Sequence, residues 1–221
     1  MKKILLIGNS GGIGSALGHA WTSRGDEVTG LSRRHHGFDI TDEVSVDLHL
    51  RKLDTKFDVI FIATGGLTSE NGRPEKSLSQ LNQQSLQEQF LLNAAGPALI
   101  LKHSKKLLRR DAISVVAALS ARVGSIGDNR LGGWYSYRAS KAALNQIVHS
   151  ASIELKRSHP KSICVALHPG TVRTALTEKY IANHKSISTD QAANKLLRLM
   201  DGLKEDQTGL FFDWAGKGIE W

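Results

Sequence analysis

The segment KILLIGNSGGIGSALGHAWTSRGDEVTGLSRR, residues 3 to 34, decides the fold. An apolar run from Lys3 to Ile7 stops at a glycine, a helical stretch runs to about Gly25, and a second short apolar run covers Glu27 to Leu31. That is the pattern of strand, loop, helix, strand. The loop is GNSGGIG, with glycines at 8, 12 and 14, and it also holds Asn9, Ser10 and Ile13. Glycine at this spacing lets the backbone turn tightly and bring a pyrophosphate against the positive end of the following helix, so the segment reads as a dinucleotide site. Beyond the second strand, an acidic residue would bind the ribose diol of NAD. The chain has Ser32, Arg33 and Arg34 there instead. A guanidinium pairs bidentately with phosphate and no carboxylate repels a 2′-phosphate, so NADP(H) is favoured over NAD(H).

Working outward, short apolar runs alternate with longer periodic ones. Strands are expected at Phe57 to Ala63, Ile113 to Leu119, Ser162 to Leu167 and Leu210 to Phe212. Continuous apolar strands suit a parallel sheet covered on both faces. Helices are expected at 86–108, started by a Ser85/Glu88 capping box and disturbed at Gly96-Pro97, and at 134–157, with Ala139, Ala143, Ile147, Ala151 and Leu155 along one stripe. A second capping box, Ser188/Gln191, opens the helix carrying Leu196 and Met200, and segment 41–53 reads as a helix although its valines and leucines alternate. The order predicts an α/β chain: a single domain over 1–221, doubly wound around a parallel sheet in three α/β/α layers.

Composition narrows the function. The formal net charge is +8, but the basic residues are scattered and aromatics make up only 6%, without the interleaving that base stacking requires, so nucleic acid is not the expected partner. No apolar run approaches the roughly 20 residues of a membrane helix. The single cysteine, Cys164, lies in an apolar run and reads as a core thiol of a reducing compartment, which points to the cytoplasm. His35, His36 and His168 stand in no metal-ligand spacing, so no metal is expected.

YRASK, residues 137 to 141, places Tyr137 and Lys141 four residues apart on one helical face. A phenol with a reference pKa of about 10 is a poor acid at neutrality; a fixed cation beside it stabilises its phenolate and lowers that pKa. The pair reads as a general acid for a carbonyl.

With the glycine loop, YRASK and the order of elements together, the chain resembles the short-chain dehydrogenase/reductase family over almost its whole length. The stretch ARVGSIGDNRLGGWYSYRASKAALN is similar to the subgroup of C-factor signalling proteins and sniffer-type carbonyl reductases. The resemblance implies a Rossmann-like fold and a catalytic Tyr137/Lys141 pair. It implies that Asn93, in LLNAAG, holds a water linked to the lysine, and that Asp39 and Ile40 contact adenine. In ATGG, Ala63 and Gly65 fall where the family has Asn-Asn-Ala-Gly, a departure in the side chains that keeps the glycines. In HPGTVRT, Pro169, Gly170 and Val172 would line the nicotinamide, with Thr174 near its carboxamide or the diphosphate. The family's serine, three residues before a glycine at a strand end, registers on Ala121; Ser120 directly precedes it and is the candidate for polarising the carbonyl.

The expected function is NADP-dependent reduction of an aldehyde, ketone or quinone to an alcohol, with Tyr137 as general acid assisted by Lys141. The alternative is an NADP-binding, C-factor-like signalling or sensor protein with little turnover. The expected partners are a small carbonyl substrate and a second copy or more of the chain, as a homodimer or homotetramer formed through the 86–108 and 134–157 helices. The substrate pocket is expected from loops 66–77, 124–136 and 174–187.

Overall fold

The computed structural model describes residues 1–68, 72–181 and 185–221; parts of two expected pocket loops, residues 69–71 and 182–184, lie outside the described residues. Six strands form one sheet: β1 (Lys3–Ile7), β2 (Glu27–Leu31), β3 (Val59–Ile62), β4 (Ser114–Leu119), β5 (Ser162–His168) and β6 (Phe211–Asp213). Their order is β2-β1-β3-β4-β5-β6 and every pairing is parallel. All six expected strands are present, β1 and β2 with the expected bounds and the other four shifted by a residue or two at their ends.

Side chains alternate across the pleat, so each strand feeds two cores. Leu5, Ile7, Ile60, Val116 and Cys164 pack under α3 (Glu43–Arg51), α5 (Gly96–Leu107) and α6 (Tyr135–Ser158). Ile4, Leu6, Phe61, Ala117 and Val165 pack under α1 (Gly12–Ser23) and α7 (Thr189–Asp201). Cys164 is a free, buried thiol, and burial pushes its pKa up to about 12. The chain leaves β1 for β2 in one direction and then crosses back over β1 to β3. That reversal opens a crevice at the carboxyl ends of β1 and β3, where ligands bind in sheets of this type.

Two expectations are corrected. The 86–108 helix starts earlier, as α4 (Gln83–Phe90), and its cap is Asn82, whose side chain accepts from the Ser85 N–H at 2.8 Å. Ser85 itself is buried inside the first turns. A π-helical turn, Leu91–Ala95, then joins α4 to α5. Pro97 has no N–H to give the Asn93 carbonyl four residues back, and the wider turn absorbs that gap.

The buried face of α6 is also not the stripe of small residues. Ala139 is exposed and Ala143, Ile147 and Ala151 are half-buried, whereas Ser140, Lys141, Leu144, Asn145, Val148 and Ser152 face inward with Leu155. Ser136 is buried as well, and apolar periodicity missed this face because five of its eight members are polar. The Ser188/Gln191 capping box forms as expected, and Asp42 caps α3 by accepting from the Val44 N–H.

Replacing Asn82 by alanine removes a helix cap and is expected to lower conformational stability by about 1 kcal/mol, read by denaturant unfolding.

Candidate active site

The glycine loop leaves β1 at the crevice. Gly8 has φ +87 and donates to the Leu31 carbonyl at 2.7 Å, tying the loop to the end of β2. A Cβ on Gly14 would stand 2.2 Å from the Gly8 carbonyl oxygen, so only glycine lets α1 begin this close to the strand end. A Cβ on Gly12 would meet the Thr174 methyl at 3.0 Å, which brings the 169–174 turn to the same place. The first turn of α1 has neither a side-chain cap nor an acidic residue. Beside it, Asn9 Oδ1 and Thr64 Oγ1 are buried without a hydrogen-bond partner among the described residues. Free N–H groups at a helix start, a bare backbone and two orphaned polar atoms together fit the diphosphate portion of a dinucleotide.

At the far end of the crevice Ser32 is buried, while Arg33 and Arg34 stand exposed on the one-turn helix α2 (Arg33–His36) without an ion pair among the described residues. The Asp39 carboxylate accepts from the Thr41 hydroxyl at 2.7 Å and its N–H at 2.9 Å; these bonds, with a through-space contribution from Arg33, hold its pKa low. Ile40 is buried, and a Cβ on Gly96 would come within 2.8 Å of its carbonyl oxygen, so α5 packs directly on this loop.

Tyr137 and Lys141 project from the first turns of α6 into a cavity of about 550 Å³ at the carboxyl edge of the sheet. Ser120 and Ala121 after β4, Ala63 to Gly65 after β3, and Pro169 to Val172 after β5 share its wall, and Ile13 and Thr174 reach it from the glycine-loop side. The sequence-expected residues at 8, 9, 10, 12, 14, 32, 33, 39, 40 and 93 lie outside this lining. Lys141 is almost fully buried; its ammonium donates to the Leu119 carbonyl at 2.9 Å and lies 6.0 Å from the centre of the Tyr137 ring.

The electrostatics differ from the expectation that the lysine lowers the tyrosine's pKa. Burial pushes Tyr137 up to about 12 and Lys141 down to about 7, because both charged forms lose water in the same place. His168, at the end of β5, is depressed to about 4 by burial first and by Arg122 second, and its Nδ1 has no partner among the described residues.

Asn93 is wholly buried in the π turn. Its Oδ1 accepts from the Gly66 N–H at 2.9 Å, and its Nδ2 donates to Gly66 O, Gln89 Oε1 and Ser140 Oγ at 2.9, 2.8 and 3.1 Å. A Cβ on Gly65 would stand 3.2 Å from Asn93 Oδ1 and 3.3 Å from Lys141 Nζ, so glycine keeps this crossing open.

Ser120 is buried and donates to Asn145 Oδ1 at 2.6 Å. Asn145 was not singled out by sequence reasoning, yet its position four residues after Lys141 continues the 137/141 face and could have found it. Glu75 was missed as well, and no local signal marks it. Its buried carboxylate takes the Ser136 hydroxyl and, at 3.3 Å, the Ser136 N–H, across 61 residues, which supplies α6 with an acidic N-terminal cap. Just before that cap, Gly132, Gly133 and Trp134 have φ of +64, +63 and +53. The strained left-handed Trp134 lines the cavity, edge-on to Tyr137 at 6.3 Å and to Tyr180 at 5.9 Å between ring centres. The chain's other late tryptophans dock elsewhere on the same molecule: Trp214 against Gly170, and Trp221 stacked on Phe211.

Comparison with known proteins identifies the family. The family model adh_short_C2, described as enoyl-(acyl carrier protein) reductase, matches residues 9–206. A 1-hydroxy-2-glutathionyl-2-methyl-3-butene dehydrogenase of Rhodococcus sp. (strain AD45) is 28% identical, with all of both chains covered. The C-signal protein of Myxococcus xanthus is 34% identical over 66% of this chain and 84% of its own. The NADPH-bound carbonyl reductase from chicken fatty liver superposes with a TM-score of 0.84 at 21% identity, covering 100% of this chain and 99% of that one. With a phosphate loop, a tyrosine and a lysine gathered at one crevice, and a family match over most of its length, the chain is an NAD(P)-dependent oxidoreductase belonging to the short-chain dehydrogenase/reductase family.

Proposed function

We propose that the chain, as one dinucleotide-binding domain, is an NADPH-dependent reductase of aldehydes, ketones or quinones. The observation that carries the reading is the placement of Tyr137 and Lys141 side by side in a cavity that also receives the glycine-loop side of the crevice. Supporting it, one solved relative of the same fold is an NADPH-bound carbonyl reductase, and another relative's name describes oxidation of a hydroxy compound, the reverse direction of the same conversion.

NADPH, when bound, supplies the hydride for the carbonyl carbon. Gly8, Asn9, Ser10, Gly12, Ile13 and Gly14 would hold its diphosphate, Ser32 and Arg33 its 2′-phosphate, Asp39 and Ile40 its adenine, and Ala63, Gly65, Pro169, Gly170, Val172 and Thr174 its nicotinamide half. Tyr137, protonated at neutral pH as any phenol is, gives its proton to the carbonyl oxygen as charge develops there. Lys141 in its charged form stabilises the phenolate left behind, and it also stands ready for ribose hydroxyls. Asn93 uses its side chain to hold Gly66 and Ser140 in place and would hold a relay water toward the lysine.

Ser120 would polarise the substrate oxygen. Its proton is given to Asn145 Oδ1, while Asn145 Nδ2 is buried without a partner among the described residues. Rotation of that amide by about 180° would pair Nδ2 with the Ser120 oxygen and release the hydroxyl proton toward the cavity.

The second reading, an NADP-binding signalling or sensor protein, draws on the likeness to the C-signal protein and on Ala121 at the family's serine register. Tight NADPH binding without turnover across a broad carbonyl panel would favour it. A cytoplasmic homodimer or homotetramer is proposed through α4, the π turn after it, α5 and α6, on which Leu86, Phe90, Leu91 and Ile153 are exposed; the molecular mass in solution is its test.

Tyr137→Phe is expected to lower the reduction rate by about 10²-fold or more while leaving NADPH binding nearly intact, measured by NADPH consumption and by fluorescence titration. Arg33→Ala is expected to weaken NADPH binding by about tenfold and to leave NADH binding unchanged, since it removes a charge-assisted contact that only the 2′-phosphate makes.

Lys141 yields a pH signature. Its pKa is about 7 in the folded protein against an ordinary value of 10.5, so the unfolded chain holds a proton that the folded one releases between those values. Folding stability therefore rises with pH across that window, and the burial penalty is felt in full below it. Lys141→Met lacks this penalty: its melting temperature relative to the parent is expected to be higher at about pH 6 than at about pH 9.

A further inference from the structure

The half of the cavity beyond Tyr137 is built by the segment after β4, the start of α6 and the 176–181 turn, and two kinds of chemistry meet there. One wall is apolar and aromatic, formed by Leu67, Leu131, Trp134, Leu176 and Tyr180. The same lining carries Arg122, Arg130, Arg138 and Lys141, against a single carboxylate among the described residues, Asp128.

The three guanidinium groups are not equivalent. Arg122 is spent, held by Asp128 at 3.0 Å and Asp213 at 3.6 Å. Arg138 has no acidic partner among the described residues. Its Nε is shared between the Gly132 and Gly133 carbonyls at 3.2 and 3.0 Å and its Nη1 donates to Val123 O at 3.2 Å, which leaves three of its five N–H donors uncommitted. Partial burial lowers its pKa, as expected of a cation that lacks a counter-ion. Arg130 is exposed at the rim and makes no ion pair or hydrogen bond among the described residues.

A lining that joins aromatic side chains to guanidinium groups without an acidic partner among the described residues selects a ligand with both features. Resting on the reductase reading, we propose that the substrate class is an aromatic or other apolar carbonyl compound bearing a carboxylate, with the apolar body against Trp134 and Tyr180 and the carboxylate toward Arg130 and Arg138. A guanidinium fork matches a carboxylate bidentately, and removal from bulk water strengthens the pairing. Arg138 has a second duty, since its bonds to Gly132 and Gly133 fix the left-handed turn that presents Trp134. Arg130 has no structural duty and is therefore the cleaner probe.

The test compares 4-formylbenzoate with its methyl ester, which keep the aromatic aldehyde and differ in charge, using the full-length protein with NADPH at low ionic strength. The acid is expected to have a kcat/KM on the order of tenfold above the ester, carried by KM, and to lose this advantage as salt is raised. Arg130→Glu is expected to bring the ratio of kcat/KM for the acid over the ester down to about one or below. Equal or better use of the ester, or a preference indifferent to Arg130→Glu and to salt, would overturn the proposal. Calorimetric titration of the same two compounds into the NADPH-loaded protein keeps the two readings apart. If neither is reduced but the acid binds more tightly in an Arg130-dependent way, the reductase reading falls and the charge reading stands; equal binding removes the latter.

Discussion

One buried amide holds the site's three supports in register. Asn93 sits where the α ladder opens into a π turn, and its side chain binds the backbone of Gly66 after β3, Gln89 on α4 and Ser140 on α6. Each of these groups would otherwise be a polar atom in a dry place, so the amide is costly to remove and its partners cannot drift apart. Ser140 immediately precedes Lys141. The same clamp that positions the loop after β3 therefore also sets the helix from which the lysine and tyrosine project.

That rigidity has an electrostatic consequence. The ammonium of Lys141 is drawn to the Leu119 carbonyl and away from water, and the phenol beside it is similarly dry. Burial favours the neutral form of both groups, which opposes the stabilisation each ion would give the other. A protonated tyrosine suits proton donation, and a lysine with a pKa of about 7 makes the site's charge sensitive to pH near neutrality. The acidic cap from Glu75 and the left-handed turn at Trp134 add a second layer of positioning at the start of α6. Strain of this kind persists only where surrounding contacts over-determine it, and here Arg138, Glu75 and two glycines do so.

Much of the fold was legible in the sequence because its signals are local. Strand positions came from short apolar runs, the phosphate loop from glycines at 8, 12 and 14 after a strand, and the Tyr137/Lys141 pair from a spacing of four. The errors fell where local pattern and tertiary context part. Ser85 and Glu88 have capping-box spacing, but Asn82 makes the cap because the helix begins one turn earlier. The small-residue stripe of α6 was read as its buried face, yet the inward face is polar, since it meets Asn93, Ser120 and the Leu119 carbonyl rather than a purely apolar layer.

The sequence by itself determined the order of elements, the glycine loop after β1, the arginines beyond β2 and the tyrosine–lysine spacing, because periodicity and spacing along a chain dictate which residues share a helical face or a strand end. Only the tertiary structure decided that Glu75 caps α6 from 61 residues away, that Ser120 is bonded to Asn145, that burial raises the tyrosine's pKa, and that Arg130 and Arg138 line the cavity without counter-ions among the described residues. These facts depend on contacts between residues far apart and on where water is excluded, and neither is written in the local pattern.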